Sequence, residues 1–117
     1  MNKDIKVSTS FLNDVVFIDI TGDVTAVTGE VVKDAYDNDS VSNSSWILLR
    51  FDKDCYINSG GLAFLIDIAS EGRNKEQKIA ATGLSEHFQK IFHMVGLTRC
   101  ISVYASEESA LKDLKKS

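Results

Sequence analysis

Residues 55 to 66 read CYINSGGLAFLI, and the middle of that stretch decides how the chain around it folds. A polar triplet ends in two glycines and runs straight into apolar residues at helical spacing, so a strand-to-helix turn is expected here, with Ser59 at its apex. Upstream, WILLRF (46–51) is an apolar run of strand length, and downstream KIAATGL (78–84) is another. With a helix over 60–72 between them, the three form a β-α-β unit, which predicts parallel strands joined by a right-handed crossover.

The same reading extends in both directions. DIKVSTSF alternates through Ile5, Val7 and Thr9 as a strand with one wet face, whereas Val15 to Ile20 is continuously apolar and suits a buried strand. Asn13 and Asp14 supply the turn that pairs them. Beyond Gly22, the spacing of Val24, Val27, Val31 and Ala35 predicts a helix of about three turns whose apolar side faces the sheet. It ends in the polar loop DNDSVSNSS. A third helix starts at Ser85, whose hydroxyl caps it, buries Phe88, Ile91, Phe92 and Val95, and stops at Gly96. ISVYAS then forms an edge strand. EESALKDLKK closes the chain with acids in its first turn and lysines in its last, as the helix dipole favours. The expectation is a single α/β domain over residues 1–117, built on a mixed central sheet of four to five strands with about four helices. At 117 residues and 44% apolar composition, the chain supports one core.

Composition excludes several functions. Thirteen basic against seventeen acidic residues give a net charge of -4 without a basic block, so no nucleic-acid partner is expected. The two cysteines, Cys55 and Cys100, lack metal or disulfide spacing, and Cys55 reads as a small packing residue. His87 and His93 are six apart, not the four that lets two imidazoles share a metal on one helix face. No phosphate-binding glycine loop and no nucleophile elbow occurs. The chain reads as neither a metalloprotein nor an enzyme, and no cofactor is expected. MNKDIKVSTS carries no secretory core and no stretch is long enough to span a bilayer. A cytoplasmic protein without membrane insertion is expected.

Two features of the central helix point to function. Leu62, Leu65, Ile66 and Ala69 share one face, which packing on the sheet explains, while Phe64 and Ile68 fall about 130° from its centre. That second stripe requires either a covering helix or a partner. Ser59 itself suits the N-cap position, and the same position places a modified hydroxyl against the free amides and positive end of the helix.

The order of elements and the turn Asn58-Ser59-Gly60-Gly61-Leu62 resemble the STAS-domain anti-sigma factor antagonists, small bacterial proteins switched by serine phosphorylation. Their hallmark is an Asp-Ser-x-Gly-Leu turn opening the second long helix. ITGDVTAVTGEVV is similar to the family's Gly-x-Leu-Asp turn into the first helix, ATGLSEHFQKIFHMVGL to its third helix, and YASEESAL to its last. The resemblance implies a partner-switching protein. Unphosphorylated, it binds a serine kinase that doubles as an anti-sigma factor; phosphorylation of Ser59 releases it, and a serine phosphatase restores it. It also implies a binding surface of Asn58, Ser59, Gly60, Gly61 and Leu62 with Asp23 and Thr25, to which Phe64 and Ile68 add an apolar stripe. Asn58 and Thr25 stand where the family has aspartates: the first removes a carboxylate from the surface the kinase recognises, and the second implies a changed partner. The same fold also serves as an accessory subunit of lipid or anion transporters, in which Ser59 is only a cap.

Overall fold

The alternating and continuous apolar runs near the N-terminus become a hairpin. In the computed structural model, which describes residues 4–114, β1 (Lys6–Leu12) pairs antiparallel with β2 (Val15–Thr21) through Asn13 and Asp14. Those two residues hold positive φ angles of 51° and 69°, the geometry of a tight type I′ turn that asparagine and aspartate tolerate. β3 (Trp46–Phe51), β4 (Lys78–Thr82) and β5 (Ile101–Val103) follow in parallel, giving a five-stranded mixed sheet of order β1-β2-β3-β4-β5. The expected parallel β3 and β4 and the edge strand β5 are both present.

Helices cover both faces, because β2 and β3 are apolar on both sides. α1 (Gly29–Asp37), α3 (Ser59–Asn74) and α4 (Glu86–Met94) enclose the larger core, where Ile18, Ile47, Leu49, Val32, Leu65 and Phe92 are inaccessible to solvent. α5 (Glu107–Leu114) lays Ala110 and Leu114 over Val15, Phe17, Leu48 and Ala80 on the other face. Beside it, Arg50 forms a bidentate pair with Asp19, reaches Glu107 of α5 at 2.7 Å and stacks 4.5 Å over the ring of Phe17. Hydrogen bonding to Asp19 raises its pKa above the ordinary arginine value. Ser85 caps α4 by accepting the Phe88 N–H, and Gly96, at φ 82°, ends that helical segment. Cys55 is buried in the core, as expected of a small packing residue. The lysines expected in the last turn of the closing helix, Lys115 and Lys116, lie outside the described residues.

Four expectations change. α1 begins at Gly29 and buries Val32 and Tyr36, whereas Val27 and Val31 are 80% and 42% exposed. Their spacing was helical, but the chain before Gly29 is a turn, so the buried phase is shifted. The polar loop contains a short helix, α2 (Asp39–Ser42), capped by Asn38 and anchored by buried Val41. Val95 lies past the end of α4 and is 46% exposed. The stripe on α3 is also rotated: Gly61, Leu65, Ile68, Ala69 and Gly72 are buried, while Ile66 is 43% exposed. Ile68 is therefore a core residue without any exposed surface.

The rotation has a physical origin in the glycines. A Cβ on Gly72 would stand 2.5 Å from Cδ1 of Ile79, so the bare backbone at that position lets α3 settle onto β4. Replacing Ile68 by alanine is expected to cost about 2–5 kcal/mol, the range for emptying a buried aliphatic site. Ile66→Ala should stay within about 0.5 kcal/mol. Chemical denaturation of the two variants checks the phase of the helix.

Candidate functional site

Two loops meet at the carboxyl ends of β2 and β3. The segment after β2 runs beside the segment after β3 as a short parallel bridge between Val24 and Ile57. Val24 donates its N–H to the Tyr56 carbonyl at 2.8 Å, and Asn58 donates to the Val24 carbonyl at 3.0 Å. α3 starts immediately afterwards, with its first turn pressed on the loop before α1. A Cβ on Gly61 would lie 2.1 Å from the Val24 carbonyl oxygen, and one on Gly60 would lie 2.6 Å from Cβ of Ala26. The paired glycines are thus required for close approach of two loops. The turn is exposed at Ser59 because both neighbouring glycines are committed to that contact.

The cap of α3 is Asn58. Its backbone is extended (φ -90°, ψ 179°), and its side-chain oxygen accepts the Gly61 N–H at 2.9 Å. Ser59, expected as the cap, is instead the first helical residue. It is exposed, and among the described residues its hydroxyl makes no hydrogen bond. Thr25 organises the other loop in the same manner: its hydroxyl accepts the Val27 and Thr28 N–H groups at 3.2 and 3.1 Å, while its own N–H donates to the Thr28 hydroxyl at 2.8 Å. Asn58 therefore fills the acceptor role that an aspartate can take at a helix N-cap, without its charge, whereas Thr25 holds the turn that leads into α1, whose own N-cap residue, Thr28, makes no side-chain cap bond.

The predicted site residues divide by exposure. Ser59 is exposed, and Asn58, Gly60, Leu62, Phe64 and Thr25 are partly so. Phe64 is half covered because its ring packs on α1, where a Cβ on Gly29 would stand 2.5 Å from Cδ2. Three residues expected at the surface are not there. Ile68 and Gly61 are buried in the packing of α3, and Asp23, 8% exposed, is engaged within the fold. In their place the two loops present side chains that the sequence reading did not assign to the surface. Ala26 and Val27 extend from the loop beside Gly60, and Tyr56, 54% exposed, packs edge-on against Phe88 at 5.7 Å. The signal for them was the spacing of two polar turns around Ser59, masked for Val27 by its helical distance from Val31.

Among the described residues, the site holds the unbonded Ser59 hydroxyl, the neutral cap Asn58, the neutral turn acceptor Thr25 and a rim of small and apolar side chains. His87 lies against the ring of Phe88 and His93 faces the Thr98 hydroxyl at 3.5 Å. Among the described residues, no three metal-ligating side chains converge, and no helix is long and apolar enough to cross a membrane.

The sequence matches the STAS domain family over residues 6–110. The chain belongs to the STAS domain family. In structure it is similar to an anti-sigma factor antagonist from Mycobacterium paratuberculosis, with a TM-score of 0.81 at 17% identity over 97% of this chain and 96% of that one. A putative anti-sigma factor antagonist from Thermotoga maritima aligns with a TM-score of 0.77 at 16% identity, covering 94% and 95%. The Bacillus cell fate determinant SpoIIAA in its phosphorylated form aligns at 0.66 and 14% identity, covering 96% and 100%. A comparison with curated protein sequences finds no match.

Removing the Asn58 cap should be visible in stability alone. Asn58→Ala is expected to cost about 1 kcal/mol by leaving the Gly61 N–H without its acceptor. Asn58→Asp should be neutral or stabilising by about 0.3–1 kcal/mol, since it restores the acceptor and adds a negative charge at the positive end of α3. Thermal unfolding of both variants at low ionic strength measures the difference.

Proposed function

We propose that the protein is a regulatory, non-enzymatic partner switch of the anti-sigma factor antagonist type, acting in the cytoplasm, in which phosphorylation of Ser59 controls release from a serine kinase partner. The observation that carries this reading is the division of labour at the turn. Asn58 performs the capping, so the exposed Ser59 hydroxyl has no structural role that modification would disrupt. A kinase can reach it, and a phosphatase can reach its product.

The surface around Ser59 explains how a phosphate would act. Ala26, Val27 and Tyr56 give the turn an apolar border, and Asn58 and Thr25 give it uncharged polar contacts. Two negative charges placed at the centre of such a contact bring desolvation cost and repulsion from acids on a partner. A penalty of about 3–4 kcal/mol weakens binding by roughly two to three orders of magnitude, sufficient for release. The partner reads a less acidic turn than the family's, since both aspartate positions are neutral here.

Intact mass and phosphosite mapping of the protein from its own host is the direct test. A single phosphate on Ser59, absent from Ser59→Ala, is expected. With the captured kinase in hand, Ser59→Ala should bind it as wild type does and Ser59→Asp about a hundredfold more weakly. A chain that carries no phosphate under any growth or stress condition, or whose Ser59→Asp variant binds its partner undiminished, refutes the switch.

A further inference from the structure

Among the described residues, the outer edge of β1 is a long run of strand backbone with no strand paired to it. β1 stands at one end of the sheet, and among the described strands it pairs with β2 alone. In a two-residue hairpin the pair flanking the turn, here Leu12 and Val15, exchanges both of its backbone bonds, and the pattern alternates along the ladder. Ser10, Ser8 and Lys6 therefore aim their N–H and C=O groups at β2. Val7, Thr9 and Phe11 aim theirs outward.

Sheet edges are ordinarily blunted by proline, a bulge, or a charge within the strand. β1 has none of these in its middle. The chain contains no proline, the register runs one to one from Lys6↔Thr21 to Leu12↔Val15 without a bulge, and the single charge of β1 is Lys6 at its start. Phe11 and Leu12 are 58% and 60% exposed. By contrast, the opposite edge, β5, has only three residues.

We propose that β1 pairs antiparallel with β1 of a second copy of this chain, about a two-fold axis at Thr9. The segment is complementary to itself in that register. Thr9 opposes Thr9 of the second copy, and Val7 opposes its Phe11 in both directions, so all three outward-facing residues exchange paired hydrogen bonds. Val7 and Phe11 lie on the face shared by their β2 neighbours Ile20 and Val16. The exposed ring of Phe11 thus covers the second copy's partly exposed Val7, an aromatic and β-branched cross-strand pair. On the other face Lys6 comes opposite Leu12 and within diagonal reach of Asp14 of the second copy. Isologous pairing of this kind closes on itself as a dimer.

The two-fold axis reverses strand direction, so the carboxyl ends of β3, and with them the two Ser59 turns, face opposite poles. Pairing leaves both turns open, and the proposal stands apart from the phosphorylation reading.

Sedimentation velocity of the unphosphorylated protein from low micromolar to near-millimolar concentration is expected to show a concentration-dependent dimer. Thr9→Pro should weaken it by about tenfold or more, because it removes an outward N–H from each copy and no bond to β2. Thr9→Cys in a Cys100→Ser background should form a disulfide-linked dimer on mild oxidation, Cys55 being buried. Should Thr9→Pro fail to fold, as read by circular dichroism, the Thr9→Cys cross-link decides. A wild-type protein that stays monomeric throughout, or a dimer in which a folded Thr9→Pro variant associates unchanged, or a cysteine variant that does not cross-link, overturns the proposal.

Discussion

The short bridge between Val24 and Ile57 is the constraint on which the arrangement around Ser59 depends. Two connections that are 33 positions apart in sequence are held at backbone distance by paired hydrogen bonds, Val24 to Tyr56 and Asn58 to Val24. A bridge so short is weak in isolation, and it persists because Val24 and Ile57 are both buried. Once it forms, the first turn of α3 has no space for side chains facing the loop, and Gly60 and Gly61 are the only residue type that fits. The position of Ser59 follows from that fit.

The neutral acceptors Asn58 and Thr25 separate geometry from charge. A cap or an entry turn requires an oxygen that accepts a backbone N–H; Asn58 provides one to the first turn of α3, and Thr25 provides one to the turn that precedes α1. Recognition requires something further, the field that the oxygen projects into solvent. Aspartates at both helix entries would add two negative charges beside Ser59, in a chain whose net charge is already -4. Under the proposed function, a partner adapted to this turn loses two salt-bridge opportunities and relies on apolar contact with Val27 and Tyr56.

Legibility in the sequence tracked how far each signal is local. Strands were read correctly because period and continuity report burial directly: Val15 to Ile20 is continuously apolar and β2 is covered on both faces. Ser85 was identifiable as a cap because one capping residue precedes one helix. Asn58 and Ser59 are both capping types in adjacent positions, and only the extended backbone at Asn58 distinguishes them. Apolar spacing gives the wrong phase for α3 for a related reason. Apolar spacing counts side chains, and Gly61 and Gly72 mark the buried face by having none. Ile68, between them in phase, therefore falls on the wrong side when side chains alone are counted. Val27 and Val31 illustrate the converse, a helical spacing that begins before the helix does.

The location of the hydroxyl also determines where a phosphate can exert its effect. At the first residue of α3 it would meet unpaired N–H groups and the positive end of a 16-residue helix, which favour negative charge. The cap that holds the turn is Asn58, and a phosphate on Ser59 removes none of its bonds. Modification is therefore neutral or favourable for the isolated fold, and it offers no route to local unfolding. A switch at this position has to operate through the contact with its partner, where the same charge leaves water for an apolar border. Under the proposed function, the conformation of the protein need not change for its affinity to collapse, because the hydroxyl lies beside the cap and not at it.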